Sequence, residues 1–209
     1  MKIGYFADGL WAHRAIEKIA ANRDFQIRFI VPRFEHKDPV LKEWTKKLGI
    51  NFLTLKNVND KDSISLIKSY ESDILVSMSF NQIFKEEILN IPPLGIINCH
   101  AGALPFYRGR NILNWALIND ENEFGITVHY VDKSIDTGDI ILQKKYTISD
   151  TDNYNTLLKR ASVYCGEILY ESLLKIYNDD VEAIPQSSID KIGSYCRIRK
   201  EGDEWIDWR

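Results

Sequence analysis

The chain has 209 residues, 44% hydrophobic and 27% charged, with a formal net charge of −3, which suits one domain plus a short appendage and a core that needs no disulfide or metal. The acidic balance argues against a broad nucleic-acid footprint, although a local anion site is compatible with it. Three widely spaced cysteines fit no metal or disulfide pattern, no apolar run approaches a membrane span, and the N-terminus lacks a signal-like apolar stretch, so a reduced cytoplasmic protein without a membrane partner is expected.

In chain order, "KIGYFA" (Lys2–Ala7) is a short apolar run. The segment Leu10–Asn22 sets Leu10, Ala15, Ile16, Ile19 and Ala20 near one helical face. "FQIRFIV" (Phe25–Val31) reads as a strand, and Pro39–Gly49 as a helix with Pro near its start and Gly at its end. "INFLTL" reads as a strand and "DKDSISLIKSY" as an Asp-capped helix, followed by the strands "DILVSM" and "LGIINC". This rhythm predicts an α/β fold, a Rossmann-like, mostly parallel sheet with helices on both faces. Ligands of such sheets bind beyond the carboxyl ends of the strands, where Asn98 and His100 fall.

After the loop "AGALPFYRGR", "NILNWALIND" reads as a helix. "FGITVHYV" alternates as a half-buried strand, "SIDTGDI" is a tight turn and "IILQKKYTI" a further strand. The longest periodic segment, "NYNTLLKRASVYCGEILYESLLKIYND", predicts a helix covering the sheet. Residues 1–180 are expected to form the catalytic domain. Residues 181–209, aromatic and charged, are expected to form a tail packed on that domain or on the partner of a homodimer.

A lone His at a strand end is commonly structural, and a lone Asn is a common turn residue. Asn98 and His100 together are more informative, because positions i and i+2 of a strand face the same side. An amide and an imidazole on one pocket suit oxyanion stabilisation and proton movement. Asp136, in a turn sharpened by Gly138, supplies a carboxylate that would orient His100 and raise its pKa. Cys99, between the pair, points into the core and is no nucleophile. No metal site is expected. His129 lies on the alternating strand, from which it could approach the site, although a packed strand histidine is the default reading, and His13 and His36 read as surface residues. The helix start after "ADGL" is no Walker loop, though its N–H groups suit a phosphate.

Asn98-Cys99-His100, the loop Leu104-Pro105-Phe106-Tyr107-Arg108-Gly109, and Asp136-Thr137-Gly138 resemble, in order and spacing, the reaction centre of the folate-dependent formyltransferases. The likeness is firm from about Asp73 to Gln143. It implies 10-formyltetrahydrofolate as co-substrate, an amine acceptor that attacks the formyl carbon directly, and Asn98, His100 and Asp136 as the catalytic trio. It also implies folate contacts from Met78, Phe80, Ile83, Ile135, Thr137 and Asp139.

Three acceptors are known for the family. The Gly/Ser-rich phosphate loop of the glycinamide ribonucleotide transformylases is replaced here by "FADGLWAHR". A large basic C-terminal domain, as in methionyl-tRNA formyltransferases, does not follow before Arg209, which disfavours tRNA. "HAGALPFYRGRNILNWAL" and "RIRKEGDEWIDW" resemble the enzymes that formylate nucleotide-linked amino sugars. The expected acceptor is thus a UDP- or dTDP-linked 4-amino-4,6-dideoxyhexose for surface glycans. Trp11, Tyr107, Arg108, Arg110, Lys191, Tyr195 and Arg197 are its candidate contacts, and Arg199 is a further diphosphate candidate. The alternatives are phosphoribosylglycinamide formyltransferase and, in a different class, a non-catalytic folate- or nucleotide-sugar-binding module.

Overall fold

A computed structural model describes residues 1–203 and 205; the end of the tail expected from the sequence, residues 204 and 206–209, lies outside them. The elements begin with β1 (Lys2–Ala7), α1 (Gly9–Ala21), β2 (Gln26–Val31), α2 (Pro39–Leu48) and β3 (Asn51–Phe52). They continue with α3 (Lys61–Ser69), β4 (Ile74–Met78), α4 (Glu86–Leu89), β5 (Ile96–His100) and the short β6 (Arg108–Gly109). Then follow α5 (Ile112–Ile118), β7 (Glu123–Tyr130), β8 (Ile140–Thr147), α6 (Tyr154–Tyr177), α7 (Gln186–Ile189) and β9 (Tyr195–Cys196).

The helices start and stop where local chemistry supplies caps. Asp38 accepts the free N–H groups of Val40 and Leu41, and Gly49 ends α2 in the left-handed region. Asp60 caps α3 through Ser63 N–H, and Asn153 with Thr156 forms a capping box on α6. One N–H of the first turn of α1 is not free for a phosphate, because Gly9 N–H donates to Asp38 Oδ2 at 2.8 Å. His13 is not a free surface residue either; its Nε2 lies 2.7 Å from the same oxygen. His36 is half-exposed against the carboxylate of Asp8.

The seven strands of the main sheet run in the order β3-β2-β1-β4-β5-β7-β8. Pairing is parallel from β3 to β5 and antiparallel across β5–β7 and β7–β8. The chain steps from β1 outward to β2 and β3 on one side and then crosses back to place β4 on the other side of β1, so the crevice above the carboxyl ends of β1 and β4 is the ligand position for this topology. One face is covered by α1 and α6, with Ile16, Ile19, Leu169 and Leu173 against Ile3, Tyr5 and Ile97. The other packs Ile67, Phe84 and Ile88 on Phe6, Phe29 and Leu75. The expected doubly covered, mostly parallel sheet is therefore present.

Two expectations about strands are corrected. "INFLTL" contributes only Asn51–Phe52, because β3 is an edge strand and its ladder with β2 ends at Ile30. "FGITVHYV" is not half-buried: every residue from Phe124 to His129 is buried. Phe124, Ile126 and Val128 join the core beneath α6. The opposite face carries the loop after β5, to which Thr127 Oγ1 donates at Gly102 O (2.6 Å). Gln143 Nε2 adds a bond to Leu104 O at 2.8 Å. Among the described residues no helix is long and apolar enough to cross a membrane.

Candidate active site

Asn98 and His100 close β5 on the side opposite Cys99. Cys99 is buried and its thiol donates toward Cys165 O at 3.6 Å, so alternation along the strand turns it inward as expected. Asp136 reaches the same place from the turn before β8, with φ 54°. His100 Nδ1 lies 3.6 Å from Asp136 Oδ2, and His129 Nε2 lies 3.6 Å from Asp136 Oδ1. The carboxylate thus sits between two imidazoles and accepts the Gly109 N–H at 2.9 Å.

His129, buried on its strand, also belongs to this cluster, the approach to the site that its place on the alternating strand allowed. The antiparallel register of β5 and β7 pairs it with Asn98. Its Nδ1 donates to Tyr130 O at 2.7 Å, which leaves Nε2 to accept the Asn98 amide at 3.3 Å. One amide hydrogen of Asn98 is so committed, and the other is left for the cavity that Asn98 lines. The sequence signal was the alternation of "GITVHYV", but only the strand register sets His129 opposite Asn98.

His100 is oriented from its other edge: Nε2 donates to Tyr107 O at 2.7 Å. Gly102 makes this possible, because a Cβ there would stand 2.6 Å from both His100 Nε2 and Tyr107 O. Burial pushes the His100 pKa below its ordinary 6.5, and Asp136 and the Tyr107 carbonyl offset only part of that. Asp136 therefore does raise the imidazole pKa as expected, but desolvation is the larger effect and the net shift is downward. Burial would raise the Asp136 pKa, yet the two imidazoles, His100 first, and the Gly109 N–H lower it more. The carboxyl is held well below the usual range and carries the charge of the pair. With Nε2 engaged, Nδ1 is the atom at which His100 exchanges a proton.

Gly138 allows the turn to lie against β7, since a Cβ there would fall 1.9 Å from Tyr130 O. Gly138→Ala is expected to cost about 1–3 kcal/mol of stability through overpacking. Thermal unfolding measures this, and an unchanged melting temperature would mean that the contact is relieved without cost.

These residues open on a cavity of about 770 Å³, within the usual range for small-molecule sites. Of the expected folate contacts, Met78, Phe80, Ile83 and Ile135 line it. Thr137 instead donates its hydroxyl to Asp132, and Asp139 is exposed outside the lining. Of the expected acceptor contacts, Trp11, Arg110 and Tyr195 line the cavity, as does Arg199, whose Nε is buried without a hydrogen-bond partner. The others are directed elsewhere. Arg108 donates to Gln186 Oε1 at 3.3 and 3.1 Å. Arg197 is paired with Asp203 at 2.5 Å and lies over the Trp115 ring. Tyr107 turns its hydroxyl to Glu121 and faces, with Arg197, a separate cavity of about 720 Å³. Lys191 is exposed on the tail and lines neither cavity.

An amide, an imidazole and a part-buried carboxylate above the carboxyl ends of a parallel sheet define an α/β enzyme built for acyl-group chemistry. More particularly, the chain belongs to the formyl transferase family, whose profile matches residues 17–173. It is 35% identical, over 81% of its length, to a methionyl-tRNA formyltransferase of Staphylococcus epidermidis, of which it covers 54%. It is 29% identical, over its full length, to that of Trichormus variabilis, of which it covers 64%. Among solved structures, the sugar 3N-formyltransferase WlaRD, crystallised with dTDP and 5-N-formyl-THF, superposes with a TM-score of 0.73 at 26% identity, over 94% of this chain and 69% of that one.

The resemblance to folate-dependent formyltransferases therefore holds, and 10-formyltetrahydrofolate is the family's co-substrate. The expected nucleotide-sugar acceptor does not hold: the curated relatives at 29–37% identity are methionyl-tRNA formyltransferases. The exclusion of nucleic acid falls with it. It rested on whole-chain charge, which says nothing of a local phosphate contact, and on where the chain ends. The chain spans roughly half to two thirds of the length of these relatives, so its end carries no argument.

Proposed function

We propose that this chain transfers the formyl group of 10-formyltetrahydrofolate to the amino group of methionyl-tRNA. The observation that carries the reading is the convergence of Asn98, His100 and Asp136 on one cavity also lined by Met78, Phe80 and Ile83. Folate lies along the segment after β4, with its formyl carbon at the trio. The amine attacks that carbon, and the Asn98 amide hydrogen left for the cavity stabilises the oxyanion. His100 accepts the amine proton at Nδ1 while Asp136 stabilises the imidazolium that forms. The proton then passes to the leaving folate nitrogen. Because the amine attacks directly, the inward-facing Cys99 is not required.

The choice of acceptor is supported by the curated relatives. Two cations on the cavity lining, Arg110 and Arg199, suit a phosphate of the acceptor end. The test is incubation of the purified chain with 10-formyltetrahydrofolate and methionyl-tRNA, with mass measurement of the amino acid released by alkali. A gain of one formyl group is expected, with an apparent KM for tRNA that rises with salt. No gain on methionyl-tRNA, alongside formylation of another amine in a panel, would overturn the acceptor. No formyl loss to any amine would overturn the activity.

A further inference from the structure

The chain that follows α6 returns to the active face through a bridge between Ile184 and Ile140. It then runs beside the loop after β5: Arg108 N–H donates to Ser194 O and Arg110 N–H to Cys196 O, each at 3.0 Å. The first helical residue of this return, Gln186, is only 3% exposed. Its Nε2 donates to Asp136 O at 2.9 Å and to Gly138 O at 2.8 Å. Its Oε1 accepts from Arg108 Nε and Nη2. Both amide hydrogens and the amide oxygen are thus engaged.

The two carbonyls belong to the turn that carries the Asp136 carboxylate. Asp136 is at φ 54°, a region that a non-glycine residue keeps only when its surroundings hold it. Arg108, on the other side of the amide, immediately precedes Gly109, whose N–H binds that same carboxylate. One side chain therefore ties the turn bearing Asp136 to the segment that receives its charge. Gln186 lies beyond residues 17–173, the part of the chain that the family profile matches.

We propose that Gln186 is a positioning residue: it holds the Asp136 carboxylate at its distance from His100, so the return segment is part of the catalytic unit. This rests on the reading of Asp136 as the catalytic carboxylate. The variant Gln186→Met keeps the length of the side chain and removes both donors. Its kcat is expected to fall by about 10- to 10²-fold, the usual cost of a small displacement in a reaction centre. KM for 10-formyltetrahydrofolate is expected to stay within about twofold, because Gln186 does not line the cavity. The acid limb of kcat should move to lower pH, because a displaced Asp136 no longer raises the His100 pKa. Gln186→Leu, which likewise removes both donors and adds no charge beside His100, supplies the same readouts should the Met variant fail to fold.

A double-mutant cycle with Asp136→Asn separates this proposal from the reading beneath it. If Gln186 acts through Asp136, its replacement costs little more in a chain that already carries Asp136→Asn. Slow Asp136→Asn with full-rate Gln186→Met would overturn the positioning role, as would fully additive losses or an unmoved acid limb. Full-rate Asp136→Asn would instead overturn the catalytic reading of the carboxylate.

Discussion

His100→Ala is expected to lower kcat by about 10²–10⁴-fold, the contribution usual for a positioned acid–base group. The ring is buried, its Nε2 is tied to the Tyr107 carbonyl, and Nδ1 faces the Asp136 carboxylate at 3.6 Å. Removing it takes away the ring nitrogen placed to exchange a proton beside that carboxylate. It also strips the Tyr107 carbonyl of its donor, which by itself costs stability. His100→Gln separates the two effects, since its amide can donate to that carbonyl and cannot serve as the base. The expected result is a melting temperature closer to wild type for Gln than for Ala, with both variants slow. Single-turnover formyl transfer measures the rates. A wild-type rate in either variant would remove His100 from the chemistry.

Asp136→Asn is expected to slow kcat by about 10²-fold or more, because the imidazolium formed at His100 loses its counter-charge. The pH dependence is the sharper test. Burial sets the His100 pKa below 6.5 and Asp136 offsets part of that shift. Wild-type kcat should therefore be flat above pH 6.5 and fall on the acid side of it. In Asp136→Asn the raising influence is gone, so the acid limb moves to lower pH while the plateau drops. A limb that moves upward would contradict this electrostatic assignment.

Stability follows the same carboxyl. Its folded pKa lies below its ordinary 3.8, so it contributes stability that is present above that value and lost as pH falls through the folded one. The stability difference between wild type and Asp136→Asn should shrink as pH falls below 3.8. Urea unfolding as a function of pH measures it.

Much of the fold was legible because its signals are local. Caps such as Asp38, Asp60 and Asn153 lie within a few residues of the N–H groups they accept. The alternation that aims Asn98 and His100 at one side and Cys99 at the other is a property of a single strand. The length of "INFLTL" was not legible, because an edge strand ends where its neighbour's ladder ends. The burial of β7 on both faces depends on a loop that packs back over it. The cationic contacts expected from residue type alone were least secure. Arg108 and Arg197 are tied to Gln186 and Asp203, whereas Arg110 and Arg199 line the cavity.

By itself, then, the sequence determined the strand–helix alternation, the shared aim of Asn98 and His100, and membership of the formyl transferase family, each written in short-range pattern or in motif order. Its whole-chain charge carries no argument about the acceptor, because net charge sums over the entire surface and recognition depends on a few contacts. The tertiary structure alone decided that His129 joins the site, through the register of β5 and β7. It also decided that Tyr107 holds His100 by its carbonyl and that Gln186, 50 residues on, grips the Asp136 turn. The direction of the His100 pKa was decided there too. A neighbouring carboxylate can be guessed from a motif, but the desolvation that outweighs it exists only once the chain has packed around the ring.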